Sequence, residues 1–180
     1  MNTKKEQGFT LIELLIVVAI IGIIAAILVP GLLRARMSGN EALAIGSIKM
    51  IQSAQATYAS SCGGGGYATS LADLGKAPTP GGPAFIPMDL VQAQDMKGGV
   101  SKSGYFFKIV DGPRGIKVLD READTCNGAL NGSSTEFFAT AEPETLDGTG
   151  TRYFATDHTG EIRHSTKPLK SMKDGTQLVD

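Results

Sequence analysis

The chain has 180 residues and a formal net charge of −1, enough for one soluble domain and one additional element. That near-neutral balance gives no overall electrostatic footprint for nucleic acid or for an anionic membrane surface. Tryptophan is absent, so 7 Phe and 4 Tyr are the main large core-forming side chains. Strong apolarity is confined to the first thirty residues, and the remainder is polar and glycine-rich.

The N-terminus reads MNTKKEQG, where Lys4, Lys5 and the α-amino group outweigh Glu6. Such a flank stays on the cytoplasmic side of a membrane. Phe9 to Val29 then forms an apolar run with a single charge, Glu13. As a helix rising ~1.5 Å per residue it is about 31 Å long, which matches a hydrocarbon core of about 30 Å. The run is apolar all round, unlike a surface helix. A secretory signal has a shorter apolar core and a small-x-small cleavage site, and Ala25-Ala26 leads to no obvious mature start. A passive single-span anchor fits the length but has no use for Glu13. A carboxylate in a lipid-facing helix costs a few kcal/mol and calls for a partner. The apolar run contains no Lys, Arg or His. Cleavage after Gly8 would create a partner, the new α-amino group of Phe9.

The segment Gly8-Phe9-Thr10-Leu11-Ile12-Glu13 and its apolar run resemble the signal of bacterial type IV pilins and type II secretion pseudopilins. The resemblance is tight from Lys4 to Pro30 and looser along the following helix. It implies cleavage between Gly8 and Phe9 by a prepilin peptidase, and N-methylation of Phe9. It also implies that the Glu13 carboxylate pairs with the terminal amine of an adjacent subunit and sets the filament register. A half-made buried charge pair costs roughly 3–5 kcal/mol, so that register would be selected strongly.

Pro30 and Gly31 follow the run. A proline there either loosens the helix locally, as the family does inside its filaments, or ends it at the membrane surface. Helical signal resumes at Leu32 and continues to about Ala59. Met37, Ala44, Ile51 and Tyr58 recur every seven residues, with Ile48 and Ala54 beside them, and mark one apolar face. Arg34, Arg36, Asn40, Glu41, Lys49 and Gln52 lie mainly off that face, and the two arginines read as solvated or headgroup-contacting. The region 60–104 is loop-rich, with Cys62-Gly-Gly-Gly-Gly66 and Ala77-Pro-Thr-Pro-Gly-Gly-Pro83, and short helical turns are expected at 70–74 and 88–94. The four glycines lack the Gly-Lys-Ser/Thr of a phosphate loop. Strands are expected at 105–110, 116–119, 135–141, 152–156 and 161–164, with a turn at 111–115 that the 116–119 strand answers.

The expected fold is α+β: a pilin fold whose long N-terminal helix packs on a small antiparallel sheet of about four strands. The expected segments are a leader at 1–8, a membrane and polymerisation helix at 9–30, its second half at 31–59, a connection at 60–104 and a sheet head at 105–180. Cys62 and Cys126 fall on the non-cytoplasmic side, where a disulfide is expected and two free thiols are the alternative. The family's commoner disulfide encloses a C-terminal loop, so the adhesive role of that loop is not carried over.

His158 and His164 lack zinc-ligand spacing and a nucleophile motif. Asp111, Asp120, Asp124, Asp147 and Asp157 sit in glycine-rich turns with suitable oxygens for calcium, but without EF-hand spacing. Tyr105, Phe106, Phe107, Phe137, Phe138, Tyr153 and Phe154 read as sheet packing. No catalytic residue, metal or cofactor is expected. The resemblance implies a helical homopolymer, a precursor in the inner membrane with a periplasmic head, and an extracellular filament used for adhesion and twitching motility. It also implies dependence on a prepilin peptidase, an assembly platform and separate ATPases. A type II secretion pseudopilin or a minor pilin is the alternative within the family. A membrane-tethered binding domain or enzyme is the alternative outside it.

Overall fold

A computed structural model describes residues 9–92, 99–120 and 124–178. Two compact units meet after Arg36, and helix α1 (Leu11–Ser61) contributes to both. In the first unit α1 is entirely apolar from Leu14 to Leu33. Pro30 lies inside α1, so the reading in which the helix ends there is set aside. Its missing N–H removes one i→i−4 bond without terminating the element.

The second unit begins at Met37. Here α1 shows the expected stripe: Ala44, Ile48, Ile51, Ala54 and Tyr58 are buried. Fully burying a side chain such as Ile48 or Ile51 contributes roughly 1.5–3 kcal/mol. The helix stops where four glycines follow Cys62. Gly64 and Gly65 adopt φ of 61° and 92°, and the Gly63 and Gly65 N–H groups return to the carbonyls of Tyr58 and Ala59. That left-handed exit favours glycine and satisfies the orphan carbonyls of the last turn. Helix α2 (Leu71–Leu74) follows, with Ser70 as N-cap, and a 3-10 turn forms at Met88–Leu90. The Val91 and Gln92 N–H groups return to the Met88 carbonyl, and the remainder of the turn expected at 88–94 lies outside the described residues.

The sheet is larger than four strands. Strands β1 (Val100–Lys102), β2 (Tyr105–Asp111), β5 (Phe137–Pro143), β6 (Tyr153–Asp157), β7 (Ile162–Ser165) and β8 (Thr176–Gln177) form an antiparallel sheet in the order β1-β2-β5-β6-β7-β8. Strands β3 (Lys117–Leu119) and β4 (Ser133–Ser134) form a separate pair. Thus 116–119 does not fold back on β2 as expected. Within the intervening turn, the Gly112 N–H and the Arg114 N–H are both tied to Glu136, which directs the chain toward β4 instead.

The core follows from a period of two. Tyr105, Phe107 and Ile109 of β2, and Phe137, Ala139 and Ala141 of β5, join the α1 stripe in one cluster. On β5 and β6, Phe138 and Ala155 belong to a second cluster with Leu169, against which Met172 packs. Burial pushes the Tyr58 phenol up to about 12, with the Asp73 carboxylate adding to the shift and Thr125 opposing it. Burial likewise raises Tyr105, so both phenols are neutral near pH 7.

Polar side chains of α1 pin the loops that cross it. The Asn40 amide donates to the Thr149 carbonyl at 2.9 Å, and the Gln52 amide donates to the Gly160 carbonyl at 2.6 Å. Gln55 is fully buried and imitates a strand, donating to the Ala68 carbonyl and accepting from the Ala68 N–H, each at 2.8 Å.

Glu41, expected mainly off the apolar face, is only 7% exposed. Its Oε1 accepts from the Thr151 N–H and hydroxyl at 2.9 and 2.8 Å, and its Oε2 accepts from Arg152 Nε at 2.7 Å. Burial would raise its pKa, but the Thr151 donors and Arg152 outweigh that and hold it below the usual carboxylate value. Because the folded pKa is depressed, the stabilisation is full above the unfolded value near 4.5 and drains away as pH falls through the folded value. Glu41→Ala is expected to lower unfolding free energy by about 3 kcal/mol, since it strands a partly buried guanidinium and two Thr151 donors. Urea titrations of the two proteins should converge as pH is lowered below 4.5.

Candidate functional site

Of the functional residues expected from sequence, Glu13 and Pro30 lie on α1, Phe9 stands just before it and Cys62 just after it. Thr10 precedes the first helical residue, and Glu13 is the third. The Thr10 N–H and hydroxyl donate to Glu13 Oε2 at 2.9 and 2.7 Å, and the Glu13 N–H donates to Thr10 Oγ1 at 3.4 Å. This is a capping box, which satisfies orphan donors at the helix start while an acid faces the positive end of the dipole. Both bonds fall on Oε2, and Oε1 has no bond among the described residues. The carboxylate therefore has a local role within its own chain and one oxygen left for another donor. Phe9 is 86% exposed beside it. Gly8, the other residue of the expected cleavage site, lies outside the described residues.

Downstream, every large apolar side chain from Leu11 to Leu33 is between 49% and 80% exposed. By length and composition this part of α1 can cross a membrane. The unburied face continues past the apolar run. At 100° per residue, Gly39, Ala42, Gly46, Lys49 and Ser53 share the side of α1 opposite the core stripe, with Met50 and Leu43 on its flank, and all are exposed. Leu43 and Met50 are 55% and 40% exposed. A solvent-facing helix side ordinarily carries several charges, and of the residues on this one only Lys49 is charged. Moreover, a Cβ placed on Gly22, Gly31, Gly39 or Gly46 would meet nothing within 4 Å. Glycine inside a helix costs ~1 kcal/mol against alanine, and no contact within this chain accounts for the four.

Cys62 and Cys126 form a disulfide with their Cα atoms 4.8 Å apart, and the Cys126 N–H donates to the Cys62 carbonyl. The bond fastens the end of α1 to the loop before β4. The histidines are not brought together: His158 is exposed in the β6–β7 turn, and His164 lies in β7. Among the described residues, no group of three or more His, Cys, Asp or Glu could hold a metal. Of the five turn aspartates, Asp157 is engaged by the Thr159 N–H and hydroxyl, and Asp147 occupies a left-handed turn at φ 60°.

Residues 3–29 match the family model described as the prokaryotic N-terminal methylation motif. Similar proteins include the type IV wide pilus major component PilA4 of Thermus thermophilus, 60% identical over 38 residues, covering 21% of this chain and 29% of that protein. The type IV major pilin protein PilA of Myxococcus xanthus is 43% identical over 54 residues, covering 30% of this chain and 24% of its own length. The type II secretion system core protein G of Pseudomonas aeruginosa is 40% identical over 58 residues, covering 32% of this chain and 41% of its own. The matched part thus spans only a quarter to two fifths of these relatives. No solved structure matches the chain.

Proposed function

We propose, from the premise that this chain belongs to the type IV pilin and pseudopilin family, that it is the structural subunit of a type IV pilus. It is cleaved after Gly8 by a prepilin peptidase, N-methylated at Phe9, and held in the inner membrane with its head outside until assembly. An assembly platform and ATPases then move it into a helical homopolymer on the cell surface, for adhesion and motility. Filament packing buries α1 against α1 of other copies. Phe9 supplies an amine, and Glu13 Oε1 accepts it from a neighbour.

The observation that carries this reading is the exposed apolar run of α1 from Leu11 to Leu33, together with four glycines along α1 that touch nothing in their own chain. Other helices approaching closely along α1 supply the missing reason for them. Transfer from lipid to filament is then a modest exchange, since apolar surface leaves one apolar environment for another.

Gly46→Ala and Gly46→Leu separate the head from the polymer. Either substitution should raise the unfolding free energy of the head by about 0.5–1 kcal/mol through helix propensity alone. The leucine variant should nevertheless lose surface filaments, counted by electron microscopy of sheared material. Wild-type filament yield from Gly46→Leu would remove the close-approach argument.

The match to the Pseudomonas core protein G is as extensive as the pilin matches, which favours a second reading as a pseudopilin. Deletion of the chain decides between them. Loss of long surface filaments with intact exoprotein secretion supports the pilus, and the opposite pattern supports the pseudopilin.

A further inference from the structure

The charge-free stretch of α1 is Leu14 to Leu33, bracketed by Glu13 and Arg34. Twenty residues at ~1.5 Å each make about 30 Å, the thickness of the hydrocarbon core. With Glu13 at the inner boundary, Arg34 falls at the outer boundary and Arg36 lies about 3 Å beyond it. The headgroup layer adds roughly 5–7 Å on each side, so both guanidiniums lie at phosphate depth. Both are exposed, and neither has a salt bridge or hydrogen bond among the described residues. The nearest acid downstream on α1, Glu41, is already held by Arg152 and Thr151. Nor do the arginines serve orientation. Arg34 and Arg36 equal Lys4 and Lys5 in number at the opposite end, which weakens the positive-inside bias rather than adding to it.

We infer that Arg34 and Arg36 form a two-sided collar that binds the phosphates of anionic phospholipids in the outer leaflet of the inner membrane. Two positions along a helix are about 200° apart, so the guanidiniums point to opposite sides at almost one height. A ring of headgroups around a lone helix presents anions on both sides at that height. One acidic side chain of a neighbouring subunit reaches only one of them. The planar guanidinium also matches a phosphate in paired hydrogen bonds, which a lysine does not. The collar sets the depth at which the unassembled subunit waits, and its contacts are released when the subunit leaves the bilayer.

The test uses the full chain in nanodiscs of phosphatidylcholine with a minor fraction of phosphatidylglycerol. After mild detergent release, native mass spectrometry counts the lipids that stay bound. Wild type is expected to retain phosphatidylglycerol above its bulk share. Arg34→Gln and Arg36→Gln should each lower that enrichment roughly fivefold, and the double variant should retain only the bulk ratio. Arg34→Lys with Arg36→Lys should restore part of it. Circular dichroism reports that the double variant is folded. Equal enrichment in wild type and the double variant overturns the inference. So does unchanged lipid retention with loss of filaments, which would assign the arginines to an acid on another subunit. The lipid count does not depend on polymerisation, so its outcome is separable from that of the pilus reading.

Discussion

Glu13→Ala is expected to leave the precursor in the membrane with a normally folded head and to reduce its incorporation into filaments by roughly 10²–10³-fold. The expectation follows from an asymmetry between the two states. In the waiting subunit Glu13 stands at the inner boundary of the charge-free stretch, capped by Thr10 and within reach of water. Removing it there costs only a helix cap, about 0.5–2 kcal/mol in the first turn. In the polymer the Phe9 amine is buried without a carboxylate, which costs roughly 3–5 kcal/mol for every subunit. Thr10→Val separates the two contributions, because it removes the capping hydroxyl and keeps the charge. It should reduce assembly far less than Glu13→Ala. The measurement is the ratio of sheared filament protein to membrane protein by quantitative immunoblot. A head melting temperature shared with wild type shows that folding is intact. Equal ratios for Thr10→Val and Glu13→Ala would mean that the cap matters and the pairing does not.

Loss of the Cys62–Cys126 disulfide has the largest expected effect on the head itself. The bond closes a loop across a sequence separation of 64 residues. In the chain-entropy description, removing such a constraint from the unfolded ensemble costs about 4 kcal/mol. For a unit of this size the melting temperature should fall by on the order of 10–15 °C. The damage should begin locally, because the bond holds the glycine exit of α1 close to β4. The Ser133 hydroxyl donates to the Gly63 carbonyl at 2.7 Å, and a Cβ on Gly66 would stand 2.6 Å from that hydroxyl oxygen. Hydrogen exchange in Cys62→Ser with Cys126→Ser should therefore rise first around 59–66 and 133–134. A melting temperature within a few degrees of wild type would show that the core cluster alone carries the stability.

The sequence made α1 legible because two independent signals overlap there, an apolar run of membrane length and a seven-residue recurrence ending at Tyr58. The strands with aromatic or β-branched alternation, β2, β5, β6 and β7, were legible within two or three residues for the same reason. Val100–Lys102, Ser133–Ser134 and Thr176–Gln177 were not. They are two or three residues long, and pairing across the sheet rather than side-chain pattern makes them strands. The pairing of 116–119 was misread because a hairpin signal is local, whereas the Glu136 contacts that redirect the turn come from twenty residues further on. Glu41 was read as lying mainly off the apolar face, whereas helical spacing puts it at the edge of the stripe. Only the approach of Thr151 and Arg152 makes that edge an interior. Gln55 could have been found, since a glutamine between Ile51 and Tyr58 on the apolar face needs a buried partner. The capping box was also present in the letters, as Thr10-x-x-Glu13 before an apolar run.

The most direct test of the central claim is the intact mass and N-terminal sequence of this chain in sheared surface filaments. The account predicts a subunit that begins at N-methylated Phe9, carries an oxidised Cys62–Cys126 pair and is the main protein of the filament. A chain that still begins at Met1, in cells whose prepilin peptidase is active, would contradict it.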